Sequence, residues 1–505
     1  MLFNSHVFLL GFLPIALLGF FCAARWLSRQ AALAWLLAAS LFFFGWWSVP
    51  YMLMFVALVV LNWLAGRAIA ARAQSDRRFA RIVCALGIAL DLGVLAWFKY
   101  ATFVVENIEA LTGLDFAMRA IVLPLAISFY TFQQIAYLCD MLQSDAPRYS
   151  LLEYALFVSF FPQLIAGPIV HHYEMIPQLR ARRFGRFDHA DFAAGLAFVA
   201  IGLVKKVVIA DSVAVLADEM FDGAAPPPLV DAWIGVSAFT VGLYFDFSGY
   251  CDIAIGLARM VGVRLPYNFN SPYRATSIID FWRRWHITLS RFLRDYLYIP
   301  LGGNRLGAVR RYVNLMITML LGGLWHGAAW TFVIWGALHG AFLMVNHAWN
   351  ALRVGPGGAR LELPDWAARV LTLLAVMAAW VFFRAPDFTT AGAVLKGMVG
   401  LNGWVAPDTA SALISAVLEH GFIEGVPLVT WWVQIHAYVL LLAGFAMALF
   451  APNSQEIVDD LDAGVRGGMR LRFQPTVATA LTAAGTFLAT LALMSDIKAF
   501  VYFQF

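Results

Sequence analysis

The chain reads as an all-α polytopic membrane protein, with about twelve transmembrane helices plus re-entrant and interfacial helices. Three observations predict this. Hydrophobic residues make up 62% of the 505 positions and charged residues only 13%, and the mean hydropathy of +0.74 lies far from soluble composition. Apolar runs of membrane-spanning length recur from end to end. The arginines gather in every second loop, as the positive-inside rule requires.

Taken in order, the apolar runs predict crossings at 7–24, 31–47, 50–65, 82–98, 120–142, 194–215, 232–262, 313–330, 331–349, 369–385, 431–451 and 476–495. The first lacks a positive n-region and a small-residue cleavage site, and is read as a retained helix. A further run, 152–170, contains Pro162, Gly167 and Pro168. Its broken character predicts a re-entrant segment, tolerated only where protein or water covers the backbone.

Loop 25–30 has Arg25 and Arg29, loop 66–81 has five arginines, 180–186 has four, and 263–312 has nine. Loop 48–49 has none, and 216–231 is acidic, with Asp218, Glu219 and Asp222. This alternation predicts both termini outside. The net charge of +4 follows from the inner loops, and no basic tract argues for nucleic acid. Cys22, Cys84, Cys139 and Cys251 lack paired spacing and read as packing residues.

Chemistry is concentrated between residues 120 and 350. From Tyr312 to Ala351 no Asp, Glu, Lys or Arg occurs, yet His326 sits there. An ionisable group at membrane depth is a functional-site hypothesis by default, and a neutral imidazole can still accept a proton. Asp246, Ser248, Tyr250 and Asp252 interrupt another apolar helix. Helical spacing puts Asp246 with Tyr250, and Ser248 with Asp252, so this helix should face the protein interior. The stretch 265–305 is too polar to span and too aromatic for a free loop, and predicts helices at the cytoplasmic boundary. Its arginines, Arg283 and Arg284 among them, suit a phosphate-bearing ligand; binding of lipid headgroups is the plainer alternative.

The segments LPLAISFYTFQQIAYLCD, FFPQLIAGPI, GLVKKVVIAD, LYFDFSGYCDIAIG, DFWRRWHITLSRFLRDYLYIPLGGNR and MLLGGLWHG together resemble the membrane-bound O-acyltransferase family. They are most similar to its bacterial branch of the alginate O-acetyltransferase type, over roughly residues 1–350. The resemblance implies one membrane-embedded domain, 1–505, with a core at about 120–350, C-terminal helices at 351–505 and a path across the bilayer. It implies that His326 matches the family's catalytic histidine and His286 its upstream companion. It further implies passage of an acetyl group from cytoplasmic acetyl-CoA toward an extracytoplasmic polysaccharide, such as alginate or another exopolysaccharide. A periplasmic SGNH-type acetyltransferase and a polysaccharide biosynthesis complex are the partners implied, with membrane lipid around the chain.

On this reading acetyl-CoA is the acyl donor, no cofactor is tightly bound and no metal is expected. Arg283, Arg284 and Trp285 are the candidate donor-binding residues. Asp246, Ser248, Tyr250, Asp252 and Trp325 are candidates for lining the path, with structural hydrogen bonding as the alternative for the aspartates. His326 would act as general base or acid, or as a covalent acyl carrier; a packing histidine is the plain alternative. His339 reads as packing. His171, His172 and Glu174 lack the spacing of a metal-binding helix. Lys205 and Lys206 read as snorkelling to the inner face. Two rival functions stay open: D-alanyl transfer from a carrier-protein phosphopantetheine, and a proton-coupled transporter, the latter weakened by the absence of inverted repeats.

Overall fold

A computed structural model describes residues 1–116, 118, 121–143, 147–165, 167–352, 363–405, 428–459, 473 and 476–494. Among the described residues the regular structure is entirely helical. Six helices are long and apolar enough to cross a membrane: Val7–Leu27, Val49–Arg72, Arg77–Thr112, His189–Phe221, Leu229–Met260 and Asp365–Arg384. Three more are apolar but shorter, Arg29–Gly45, His436–Phe450 and Val477–Leu493. Outward faces carry large apolar side chains in the open, such as Leu18, Leu86 and Trp97. Water would not tolerate so much exposed apolar surface, whereas lipid does. The chain is a multi-pass membrane protein.

The predicted crossing at 120–142 takes a different form. Its helix is Ile127–Asp140, 14 residues long, and it is buried along an unbroken run from Tyr130 to Leu138. That is too short to span and too enclosed to face lipid, so it is a core helix. The 152–170 stretch is broken as predicted. A helix over Leu151–Ser159 stops at Phe160, one turn follows over Phe161–Leu164, and the described residues from Tyr154 to His172 are buried except the half-buried Ala155.

Glycines decide where helices approach most closely. A Cβ on Gly195 would lie 2.6 Å from the Gly256 carbonyl oxygen, and one on Gly202 would lie 2.6 Å from that of Gly249. Each partner glycine meets the reciprocal oxygen, at 2.4 and 2.8 Å. His189–Phe221 and Leu229–Met260 therefore touch backbone to backbone at two levels, seven residues apart. Small-residue contact of this kind replaces the hydrophobic drive that lipid cannot supply. Gly323 and Gly336 do the same for the next pair: a Cβ on Gly323 would meet the Phe332 carbonyl at 2.2 Å. The helices Gly307–His326 and Trp330–Leu352 are thereby clamped three residues from His326.

The glycine contacts are open to test. Gly202→Val should lower the thermal stability of the purified protein by about 1–3 kcal/mol, the usual cost of overpacking. A methyl group added at Gly93 would have nothing within 4 Å, so Gly93→Ala should be neutral or raise stability by up to about 1 kcal/mol. Equal effects of the two changes on the unfolding midpoint would contradict this account.

Candidate active site

His326 is the last residue of the helix Gly307–His326 and is only 4% exposed. Its ring is walled by Trp325, Trp335 and Phe383, with centroids 4.9, 5.0 and 5.3 Å away. Phe383 comes from Asp365–Arg384, beyond the 120–350 stretch in which the sequence places the core. Trp380, from the same helix, stacks on Trp335 at 5.8 Å.

His286 reaches the same place from another direction. It sits between the short helices Ile278–Arg284 and Ile287–Leu293, fully buried, with φ of +43°. A left-handed backbone at a residue other than glycine persists only where its surroundings enforce it, at a cost of about 1–3 kcal/mol. Here Ile287 N–H donates to the Asn268 carbonyl at 3.0 Å, and the Asn268 side chain ties down the next turn. The two imidazole centroids end up 6.5 Å apart.

Asn268 also fixes the state of His286. Its Oδ1 accepts from Thr288 N–H at 3.2 Å and from the Thr288 hydroxyl at 2.8 Å, so that atom is the amide oxygen. His286 Nδ1, at 3.3 Å, must then be the donor. The lone pair is left on Nε2, which is buried and meets no hydrogen-bond partner among the described residues. In histidine generally, the hydrogen bond made by one ring nitrogen sets the protonation of the other.

A line of aromatic rings leads away from this pair. Trp325 stacks on Phe132 at 5.3 Å, Phe132 on Phe292 at 4.0 Å, and Phe292 lies 5.1 Å from Tyr296. His171 follows at 5.7 Å, then Tyr173 at 5.0 Å, which is 50% exposed. The outer end of the line is polar. Tyr296 donates to Asp140, Asp140 pairs with His172 Nε2 at 3.1 Å, and Arg291 holds Glu174 with two bonds of 2.6 and 2.9 Å. His171 and His172 thus belong to a hydrogen-bonded network. Among the described residues no group of three or more His, Cys, Asp or Glu side chains is arranged to hold a metal ion.

The other predicted residues fall in three places. Arg283 is exposed, while Arg284 is bonded to Asp280 at 2.9 Å and to the Asn270 carbonyl. Trp285 is 1% exposed and packs among Phe281, Phe269, Tyr273 and Trp380, so its ring is part of the aromatic core beneath the site. Trp325 lies 6.1 Å from His286. Asp246 and Tyr250 do share a face, and Lys206 meets both, at 2.8 Å from the carboxylate and 5.7 Å from the ring. Ser248 and Asp252 line a cavity of about 10 Å³ together with Asn268, Lys205 and Ser454. His339 is fully buried against Trp335 at 4.8 Å.

The snorkelling expectation for Lys205 and Lys206 is corrected. Lys206 is 1% exposed and paired with Asp246 and Asp211, both at 2.8 Å, and Lys205 is paired with Asp252 at 2.6 Å. The reason is the glycine contact at Gly202 and Gly249, which brings the two helices too close for these side chains to escape along the surface.

Lys99 and Tyr100 were not legible as site residues. Both lie on Arg77–Thr112, and both reach the end of the His326 helix. Lys99 Nζ donates to the carbonyls of Trp325 at 2.5 Å and His326 at 3.0 Å, and the Tyr100 hydroxyl donates to that of Leu324 at 2.9 Å. The one available signal was a lysine in the apolar run LAWFKYATF.

The sequence profile of the MBOAT, membrane-bound O-acyltransferase family, matches residues 121–383, a span that includes both histidines and Phe383. A peptidoglycan O-acetyltransferase of Helicobacter pylori is 44% identical over 430 residues, 80% of each chain. A "Probable alginate O-acetylase AlgI" of Azotobacter vinelandii is 39% identical over 518 residues, covering the whole of both chains. A teichoic acid D-alanyltransferase of Streptococcus thermophilus is 28% identical over 250 residues, 45% of this chain and 57% of its own. With two buried histidines facing each other inside the matched span, and relatives of this identity over most of its length, the chain belongs to the membrane-bound O-acyltransferase family and is an enzyme of that kind.

Proposed function

We propose that the protein transfers an acetyl group from cytoplasmic acetyl-CoA to an extracytoplasmic polysaccharide, with His326 as the base. The observation that carries this is the enclosed pair His326 and His286, 6.5 Å apart in an aromatic box. The relatives support acetyl transfer to a cell-envelope polysaccharide, alginate or peptidoglycan in their own cases. The D-alanyl alternative rests on a weaker likeness over less than half the chain.

In this mechanism His326 takes the proton of an acceptor hydroxyl, either on the polymer or on the serine of a periplasmic SGNH-type partner. The hydroxyl oxygen attacks the thioester carbonyl carbon, the carbon–sulfur bond breaks, and the departing thiolate takes the proton back from the imidazolium. The Nε2 lone pair of His286, freed by Asn268, can share or relay that proton. Water is kept out by the surrounding Trp and Phe rings, which favours transfer over hydrolysis. The ring line from Tyr173 to Trp325 would flank the donor's pantetheine arm, and the exposed Arg283 would meet its phosphates. Both termini periplasmic, with 66–81, 180–186 and 263–312 inside, would put donor and acceptor on opposite sides of the inner membrane; the chain would then return inward between Thr112 and Arg180 through its short buried helices rather than by a spanning helix at 120–142.

His326→Gln keeps a hydrogen-bonding side chain but cannot take a proton near neutral pH. It should lower acetyl transfer by about 10²–10⁴-fold, with membrane insertion and expression near wild type. Near-normal acetylation by that variant would remove His326 as the base. His286→Gln should be as severe if the two histidines act as a unit, and milder if His286 only shapes the path.

Replacing Arg283 and Arg284 together with glutamine should raise the KM for acetyl-CoA more than it lowers kcat, the mark of lost ground-state binding. Unchanged kinetics would leave these arginines as headgroup anchors. The topology is checked by cysteine labelling of intact cells in a background without the four native cysteines. A cysteine at Arg78 should resist an impermeant reagent and one at Asp222 should react; the reverse pattern would invert the map.

A further inference from the structure

We infer that Lys99 is a positioning residue for the transfer: by gripping the carbonyls of Trp325 and His326 it fixes the direction in which the His326 imidazole meets the reacting groups. The inference rests on the reading of His326 as the base.

Three observations carry it. The first is where Lys99 binds. The last carbonyls of any helix lack intrahelical partners, and in Gly307–His326 those of residues 324, 325 and 326 are all taken up by side chains of one other helix. Two of the three belong to Lys99, one of them on His326 itself. Immediately afterwards the chain turns extended at Gly327 (φ −157°, ψ 150°), so no further turn of helix holds the histidine in place.

The second is what Lys99 does not bind. Lys205 and Lys206 are each matched by a carboxylate within 2.8 Å. For Lys99 no carboxylate lies within ion-pair distance among the described residues, and its contacts are carbonyl oxygens and the Trp325 ring, 5.9 Å away. The partial negative charge of a helix C-terminus stabilises a cation there. A cation largely withdrawn from water is nonetheless a costly way to satisfy two carbonyls. The Tyr100 hydroxyl shows that a neutral group can satisfy a carbonyl of the same helix end.

The third is leverage. Lys99 stands 22 residues beyond Arg77, about 33 Å along a continuous helix, so the grip is referred to a long rigid element rather than to a loop. A misplacement of about 1 Å at a reacting group can cost about 10²-fold in rate. A rotation of the helix end by about ten degrees would move a ring on its side-chain arm by about that much.

The test uses the full chain in proteoliposomes with alginate oligosaccharide as the hydroxyl acceptor, reading release of free CoA from acetyl-CoA, with the folded amount measured separately by thermal unfolding. Lys99→Met should lower kcat by about 30–100-fold, with the KM for acetyl-CoA within about threefold of wild type. Lys99→Arg, which keeps the charge and the donors, should restore most of that loss. A kcat for Lys99→Met that is within threefold of wild type, or falls only in proportion to the folded fraction, would overturn the inference. If Lys99→Met does not fold, Lys99→Gln, which keeps a single shorter donor group, carries the test: it should lower kcat by about tenfold at unchanged KM, and an unchanged kcat would overturn the inference. The two readings fail separately. Activity retained by His326→Gln sinks the base, whereas normal Lys99→Met beside an inactive His326→Gln sinks the positioning role alone.

Discussion

Inside an apolar bundle every charge and every free backbone group must be satisfied from within, because neither lipid nor packed side chains can do it. Most of the interior follows from that constraint. Lys205 and Lys206 enter the core because Gly202 and Gly249 bring their helices into backbone contact, and Asp252, Asp246 and Asp211 are required to neutralise them. Asp246 and Asp252 therefore answer for two lysines before they can answer for a substrate. Removing one partner of such a pair is far more damaging than replacing both.

The same constraint shapes the two histidines. At His286 the ring-nitrogen partner is an amide, Asn268, rather than a carboxylate, and the rings packed on both histidines are aromatic. Aromatic faces supply the surroundings instead. Neutral imidazole is the form that such a box tolerates, and it is also the form able to accept a proton from a hydroxyl. Packing and chemistry thus ask for the same protonation state. The left-handed backbone at His286 is the local cost of bringing the second ring within 6.5 Å of the first.

What could be read from the sequence divides along physical lines. Helical class, the inward face of Asp246 and Tyr250, and the oddity of His326 are local, set by composition and a period of 3.6 residues. The family resemblance gave His286 its expected role. Contacts across the fold were not legible: Lys99 meets His326 from 227 positions away, and Phe383 meets it from another helix again. Nothing local distinguishes a lysine that holds a helix end from one that snorkels, and Lys205 and Lys206 show the error this invites. The 120–142 run departs from expectation for a related reason. Apolar composition cannot separate a crossing from a 14-residue helix enclosed by its neighbours.

Hydrogen-bond direction separates His286 from His339. Trp282 Nε1–H, which can only donate, meets His339 Nδ1 at 3.3 Å. The His339 lone pair is therefore spent, and its proton must sit on Nε2. His286 has the opposite arrangement, with Nδ1 donating to Asn268 and the Nε2 lone pair available. Two buried imidazoles with similar aromatic neighbours are thus set in opposite tautomers by one indole and one amide oxygen. Burial alone would make them equivalent candidates. The partner on Nδ1 leaves His286 a lone pair for the proposed proton transfer and leaves His339 only an N–H.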